Sequence, residues 1–168
     1  PFPKCANVIQ VINAQEMFEK TISQLPADIL ICCAAVADWK FIPEISATKK
    51  INIKNKIKKN NEELLFKTIK NPDILETIAK SELRPNLVIG FAAETDNVIK
   101  NARSKLVSKE IDLIVANDVG ENKVFGEDTN KVFLIDKNNC EEWCEQSKNS
   151  VASNLADKIN KIFNTANI

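Results

Sequence analysis

The chain has 168 residues, 44% of them hydrophobic and 27% charged, and its 23 basic and 23 acidic side chains leave no formal net charge. This length is typical of one domain, and this composition argues against disorder. The lack of histidine excludes Ser-His-Asp and Cys-His catalysis and histidine metal sites. The sequence shows neither the roughly 20 apolar residues of a membrane span nor a signal-peptide core. We therefore expect a cytoplasmic domain without membrane association.

The five cysteines fit a reducing compartment. Cys32 and Cys33 lie inside an apolar run and are expected to be small buried hydrophobes. Cys140 and Cys144 are four residues apart, a spacing that places them on one face if the segment is a helix. Together with Cys5 they lack the paired CxxC spacing of zinc sites, so no metal site is predicted.

Apolar runs of strand length alternate with helical patterns along the chain. Strands are predicted at 8–12, 28–38, 86–94, 112–118 and 130–137, and helices at 13–24, 72–80, 95–110 and 147–163. The first helix has Asn13 as its N-cap with Glu16 three residues later. The run 28–38 has the composition of a strand buried on both faces. This alternation predicts a doubly wound, mostly parallel, Rossmann-like α/β sheet in one domain, residues 1–168.

Residues 39–70 interrupt the alternation and hold nine lysines against three glutamates. Alternating apolar and polar residues predict a β-hairpin flap inserted here, outside the main sheet, with one apolar and one lysine-rich face. A local positive segment in a neutral protein indicates a local anion site rather than a nucleic-acid surface. The alternative is a solvated surface without a ligand.

Polar side chains follow the predicted strands, where ligands bind in open α/β sheets. They are Asp38, Glu94, Thr95, Asn117 and Asp118. Capping of turns and helices is the alternative role for such residues. Lys105 and Lys109, four apart in the helix that follows Glu94, share one helical face.

Asn71-Pro72-Asp73 has the pattern of a helix start, with Asn71 as N-cap and Pro72 as the first helical residue. Free N–H groups at such a start attract phosphate, although a capped helix without a ligand explains the pattern equally well. The chain has three glycines and neither a GxGxxG nor a GxxxxGK[ST] loop. A phosphate ligand would therefore depend on lysines and helix N-termini.

Six motifs carry a resemblance to a known family: AAVADW, NKIKK, KTIKNPDIL, VIGFAAET, NARSKLVSKEIDLIVANDV and FGEDTN. In order and spacing, across residues 8–165, the chain resembles bacterial phosphopantothenoylcysteine synthetase. This ligase domain is often fused behind a flavin-dependent decarboxylase, so FMN is expected only on such a preceding domain. The family begins with a glycine-rich segment that supplies an asparagine, and this chain starts after it; we expect an N-terminally truncated domain.

The resemblance implies a reaction in coenzyme A biosynthesis. CTP, accompanied by Mg²⁺, activates the carboxylate of 4′-phosphopantothenate as an acyl-cytidylate, and the amine of L-cysteine then displaces CMP. The family is normally homodimeric. Neither nucleic acid nor a membrane is an expected partner.

The resemblance also implies roles for particular residues. Lys56, in NKIKK, is the expected catalytic lysine that neutralises phosphate charge. The residues expected to bind the nucleotide are Ala34, Asp38, Lys56, Asn71, Pro72, Asp73, Ile74, Phe91, Lys105 and Lys109.

Two other functions fit parts of the sequence. A nicotinamide- or flavin-binding oxidoreductase would use the same sheet but lacks the glycine-rich fingerprint. A module that binds single-stranded RNA would use the lysine-rich hairpin, but few aromatic side chains accompany those lysines to stack on bases.

Overall fold

The computed structural model describes residues 6–43, 65–120 and 129–165. The elements in chain order are α1 (Ala14–Ile22), β1 (Ile29–Cys32), β2 (Trp39–Pro43), β3 (Phe66–Lys70), α2 (Ile74–Ala79), β4 (Leu87–Glu94), α3 (Val98–Ser108), β5 (Leu113–Asp118), β6 (Thr129–Ile135), β7 (Cys140–Ser147) and α4 (Lys148–Thr165). They belong to two units. The first unit comprises Pro1–Ser23 and Ala35–Asp73, and the second comprises Gln24–Ala34 and Ile74–Ile168.

The second unit contains a five-stranded sheet in the order β1-β4-β5-β6-β7. Strands β1, β4 and β5 are parallel neighbours, whereas β6 is antiparallel to both β5 and β7. Four of these five strands therefore point the same way, and α3 makes the crossover from β4 to β5. The predicted, mostly parallel α/β fold is confirmed.

Helices cover both faces of this sheet. The α3 face has a buried cluster that includes Val88, Ala92, Ala102, Leu106 and Ile114. The α4 face has a second cluster that includes Leu87, Ile89, Val115, Val151 and Leu155. Burial of each large aliphatic side chain contributes about 1.5–3 kcal/mol. Successive residues of β4 alternate between the two faces, which is the doubly wound arrangement expected from the sequence.

Glycine at position 90 allows close packing on the α3 face. A Cβ atom there would lie 2.8 Å from Leu75 Cδ2, on α2, and 3.0 Å from Ile111 Cδ1. A side chain at position 90 would therefore displace both neighbours.

A salt bridge joins the segments before β4 and β5. One guanidinium nitrogen of Arg84 donates to both carboxylate oxygens of Asp112 at 2.8 Å. Asp112 Oδ2 also accepts from the backbone N–H of Val88 at 2.7 Å, and the Asp112 N–H donates to the Val88 carbonyl at 3.0 Å. Asp112 thus fixes the start of the β4–β5 pairing.

Asp136 organises the turn between β6 and β7. Its Oδ1 accepts the backbone N–H groups of Asn138 and Asn139 at 2.7 and 2.6 Å. Burial of the carboxyl raises its pKa, but these two N–H donors, the Asn139 side chain and the charge of Lys158 together bring the pKa of Asp136 below its ordinary value. The turn is therefore stabilised by the ionised carboxylate.

In the first unit, α1 has the predicted cap. The side-chain oxygen of Asn13 accepts from the Glu16 N–H at 2.9 Å, and the Glu16 carboxylate accepts from the Ile12 N–H at 2.9 Å. Strands β2 and β3 form a two-stranded antiparallel sheet separate from the main one. The predicted flap, 39–70, has these strands at its two ends, while residues 44–64 lie outside the described residues.

One side of the β2–β3 sheet is aromatic. Trp39 and Phe41 alternate onto one side of β2, and Phe66, opposite position 43, lies on the same side. The three side chains are 50%, 70% and 48% exposed. The Lys70 ammonium lies 5.6 Å from the centroid of the Trp39 ring, a cation–π contact. We call Trp39, Phe41 and Phe66 the aromatic face.

Two strand predictions are wrong. Residues 8–12 form no strand, because an apolar run becomes a strand only where a neighbour pairs its backbone. The side chains of these residues are largely exposed. The run 28–38 gives a strand only at Ile29–Cys32. This strand is the first in the sheet order, so it is partly exposed rather than buried on both faces.

The sequence also failed to predict β7, Cys140–Ser147. Cys140 and Cys144 therefore lie on a strand, not on a helical face, and both are exposed, as is Cys33. This strand is the last in the sheet order, and its polar sequence, with Trp143 packing on the α4 face, gives little apolar alternation. The predicted terminal helix follows directly, as α4.

Candidate nucleotide site

The carboxyl ends of β4 and β5 bring four predicted polar residues together. Glu94 pairs in register with Asp118, and Ala93 with Asn117, while Thr95 follows directly. The Val119 N–H donates to the Glu94 carbonyl at 2.8 Å. The sequence predicted that these four residues and Asp38 would meet at one edge. The structure brings the four together, whereas Asp38 belongs to the first unit.

Gly120 lies in the loop that follows β5 at this edge, and no sequence motif had singled it out. Its N–H donates to Asp118 Oδ1 at 3.0 Å. A Cβ atom at this position would lie 2.8 Å from the Thr95 carbonyl oxygen. Because that neighbour is backbone, it cannot yield as a flexible side chain does, so the loop after β5 requires glycine.

Lys105 reaches the same edge from α3. Its Nζ lies 2.6 Å from Glu94 Oε1, and the two side chains are 47% and 11% exposed. Glu94 Oε2 accepts from the Asn101 amide at 3.4 Å, and that amide also donates to the Asp96 carbonyl at 2.9 Å. The edge therefore carries a half-exposed lysine side chain whose ammonium is held against a largely buried carboxylate.

Lys109 lies one helical turn further along. It is the C-cap of α3, and its backbone N–H donates to the Lys105 carbonyl at 3.0 Å. The two lysines share one side of the helix, as their spacing predicts. Lys105, and not Lys109, has its ammonium beside Glu94.

The other predicted site residues of the second unit differ in position and in burial. Phe91 packs on the α4 face, whereas Lys105 belongs to α3, so the sheet separates the two side chains. Ala34 is exposed and follows the carboxyl end of β1 by two residues. Ile74 is 6% exposed and is therefore buried, with little surface for a ligand.

Asp38 and Asn71 lie together in the first unit. The Asn71 N–H donates to the Asp38 carbonyl at 2.9 Å, and its side-chain amide donates to the Ala37 carbonyl at 2.8 Å. Both bonds fasten the segment before β2 to the segment after β3. The Asp38 side chain is exposed.

The predicted helix start at Asn71 is wrong. Helix α2 begins at Ile74 and has six residues, and the Asn71 side chain donates to a carbonyl instead of capping a helix. Tertiary bonding to residue 37 has replaced the local cap. A helix of this length offers little dipole for a phosphate, so Pro72 and Asp73 join Asn71 as connecting residues.

Lys56, the predicted catalytic lysine, lies outside the described residues, and its role remains a prediction. Among residues 6–43, 65–120 and 129–165, no group of three or more His, Cys, Asp or Glu could hold a metal ion. Glu94 is engaged by Lys105 and Asp118 by the Gly120 N–H. The carboxylates of Glu94 and Asp118 therefore do not form a magnesium site of their own.

The fold is an α/β domain in which polar and charged side chains lie together at the carboxyl ends of two parallel strands. The sequence matches the family described as the DNA/pantothenate metabolism flavoprotein C-terminal domain over residues 1–163. The chain therefore belongs to that family, which agrees with the resemblance found from its motifs.

Individual relatives of the chain point to the same family. The chain is 39% identical, over 158 residues, to the coenzyme A biosynthesis bifunctional protein CoaBC of Haemophilus influenzae, covering 94% of this chain and 38% of that protein. The corresponding protein of Borreliella burgdorferi is 38% identical, over 91% of this chain and 37% of the relative. The chain thus spans less than two fifths of these relatives.

A solved structure gives the same result. The crystal structure of the C-terminal domain of a coenzyme A biosynthesis bifunctional protein CoaBC superimposes with a TM-score of 0.68 and 29% identity, covering 94% of this chain and 66% of that one.

Among the described helices, none has the length and apolar content needed to cross a bilayer.

Proposed function

We propose that this chain forms the nucleotide-binding part of a cytoplasmic, CTP-dependent phosphopantothenate–cysteine ligase of coenzyme A biosynthesis. Membership of the family and relatives named for coenzyme A biosynthesis support the pathway. The observation that carries the proposal is the Lys105 side chain, 47% exposed, whose ammonium lies 2.6 Å from Glu94 at the carboxyl end of β4. Ligands of open α/β sheets bind at that end, and a fixed cation there suits a polyphosphate.

In the first step, a carboxylate oxygen of 4′-phosphopantothenate attacks the α-phosphorus of CTP. The bond between that phosphorus and the β-phosphate bridging oxygen breaks, and pyrophosphate leaves. In the second step, the amine of L-cysteine attacks the acyl carbon, loses a proton and expels CMP. Mg²⁺ enters with the triphosphate as Mg·CTP and is part of the substrate.

The lysines supply positive charge where the triphosphate binds. A lysine about 4 Å from a phosphate charge at an effective dielectric of 20 contributes roughly 4 kcal/mol. If that contribution arises only in the transition state, it corresponds to about a thousandfold in rate. We assign this catalytic role to Lys56, and nucleotide binding to Ala34, Asp38, Phe91, Lys105, Lys109 and the segment 71–74.

We further propose that the protein acts as a homodimer. Exposed aromatic side chains grouped on one side of a small sheet are typical of protein interfaces, and the aromatic face has this character. Each copy of the chain presents the aromatic face, so two copies can pack these faces together in an isologous contact.

The test is a pyrophosphate-release assay with Mg·CTP and 4′-phosphopantothenate, before and after addition of L-cysteine, in a chain that includes the family's glycine-rich segment. We expect pyrophosphate without cysteine, and CMP only with it. Parallel reactions with Mg·ATP establish nucleotide preference. No pyrophosphate with either nucleotide would overturn the proposal.

A further inference from the structure

The family resemblance implies a role for Lys105 but none for its ion-pair partner, Glu94. Glu94 is the last residue of β4, and its Oε1 is buried with no hydrogen-bond partner among the described residues. The Lys105 ammonium, 2.6 Å away, is in ion-pair contact with that oxygen although the angles are not those of a hydrogen bond. A buried ionised carboxylate is costly without a compensating charge, so Lys105 is held to this oxygen.

The pair leaves Lys105 available to a ligand. An ammonium group has three N–H donors, and Glu94 Oε1 occupies one side of it. The Lys105 side chain is 47% exposed, so the protein does not enclose it. A free lysine has a long flexible stem whose ordering opposes binding, and contact with Glu94 removes part of that freedom beforehand.

Asn101 fixes Glu94 in turn. The Asn101 amide donates to the Asp96 carbonyl at 2.9 Å and reaches Glu94 Oε2 at 3.4 Å. Asn101 and Lys105 lie four residues apart on α3 and so on one side of the helix. The two oxygens of Glu94 are therefore each held by a different residue of the same helix.

We propose that Glu94 is a positioning residue that holds the Lys105 ammonium where it binds the phosphates of the nucleotide. The proposal rests on the proposed function for the identity of the nucleotide, but it predicts phosphate binding by Lys105 in any case. Glu94 itself contacts Lys105, not the ligand.

The opposite role would be competition, in which the negative charge of Glu94 repels the phosphates and occupies Lys105. Three substitutions distinguish the two. Glu94→Gln keeps the oxygen acceptor and removes the charge. Glu94→Asp keeps the charge and shortens the side chain, which withdraws the carboxylate from Nζ. Glu94→Ala removes the acceptor altogether.

The experiment is a calorimetric titration of each variant with Mg·CTP and with inorganic triphosphate, with the thermal midpoint measured in parallel. Positioning by the ion pair predicts that Glu94→Ala, Glu94→Gln and Glu94→Asp each weaken binding by about 3- to 10-fold. Adding Glu94→Ala to Lys105→Ala should cause no further loss. Lys100 is an exposed lysine of the same helix, so Lys100→Ala is the matched control. Adding Glu94→Ala to Lys100→Ala should weaken binding as much as Glu94→Ala does alone.

Tighter binding by both Glu94→Ala and Glu94→Gln would overturn the proposal in favour of competition. Full additivity of Glu94→Ala and Lys105→Ala would overturn it as well. Equal affinity for CTP and triphosphate, with the Glu94–Lys105 coupling intact, would instead overturn the proposed function and leave the positioning role standing. Failure of both ligands to bind the unmodified protein would overturn both.

Discussion

Replacement of Asp112 by alanine should destabilise the second unit out of proportion to the exposure of the residue. Asp112 Oδ2 accepts the N–H of Val88 at 2.7 Å, and Val88 is 0% exposed. Loss of the acceptor leaves that buried N–H unpaired, which costs about 1–3 kcal/mol. The salt bridge with Arg84 adds less than about 1 kcal/mol, because its two side chains are 31% and 36% exposed.

The expected total is about 1–4 kcal/mol, which for a chain of this size lowers the thermal midpoint by roughly 2–16 °C. Chemical and thermal unfolding followed by circular dichroism measure both quantities. Arg84→Ala is the matched control: it removes the salt bridge but leaves the Val88 bond, so it should cost less than about 1 kcal/mol. Equal losses in the two variants would refute the reasoning, since they would place the stabilisation in the salt bridge.

Three further predictions concern catalysis, acid stability and assembly. Lys56→Ala should slow acyl-cytidylate formation by about two to three orders of magnitude without lowering the thermal midpoint; unchanged pyrophosphate release would remove Lys56 from the mechanism. The lowered pKa of Asp136 means that its stabilising contribution is present above the unfolded value of about 3.9 and is lost as the pH falls through the folded pKa. Asp136→Asn should therefore destabilise the protein at pH 6 more than at pH 3 in urea unfolding, and an equal effect at both would contradict that sign. Phe41→Glu, at a side chain that is 70% exposed, should reduce the dimer fraction in analytical ultracentrifugation while folding is retained; an unchanged dimer would exclude the aromatic face as the interface.

The sequence predicted the strands and helix whose burial is strongest. Strands β4 and β5 are nearly continuous apolar runs because both faces are buried, and α3 repeats its apolar residues at helical spacing. The meeting of Glu94, Thr95, Asn117 and Asp118 also followed from sequence, since parallel strands end at one edge. In contrast, β7 is last in the sheet order and mostly polar, so its composition resembles that of an exposed helix.

Parts of the site depend on tertiary contacts that spacing does not encode. Glu94 and Lys105 are on a strand and a helix, and their contact depends on how α3 packs against β4. Asn71 has the local pattern of an N-cap, but bonds to residues 37 and 38 determine its geometry. Lys56 was assigned by resemblance to a family, and its prediction therefore has a different basis from that of the strand-end residues.

Calorimetric titration of the 168-residue chain with Mg·CTP, beside Mg·ATP and a short single-stranded RNA, decides whether this chain binds the nucleotide. We expect saturable binding of Mg·CTP that is weakened in Lys105→Ala and unchanged in Lys100→Ala. Binding of the RNA with no binding of either nucleotide would contradict it.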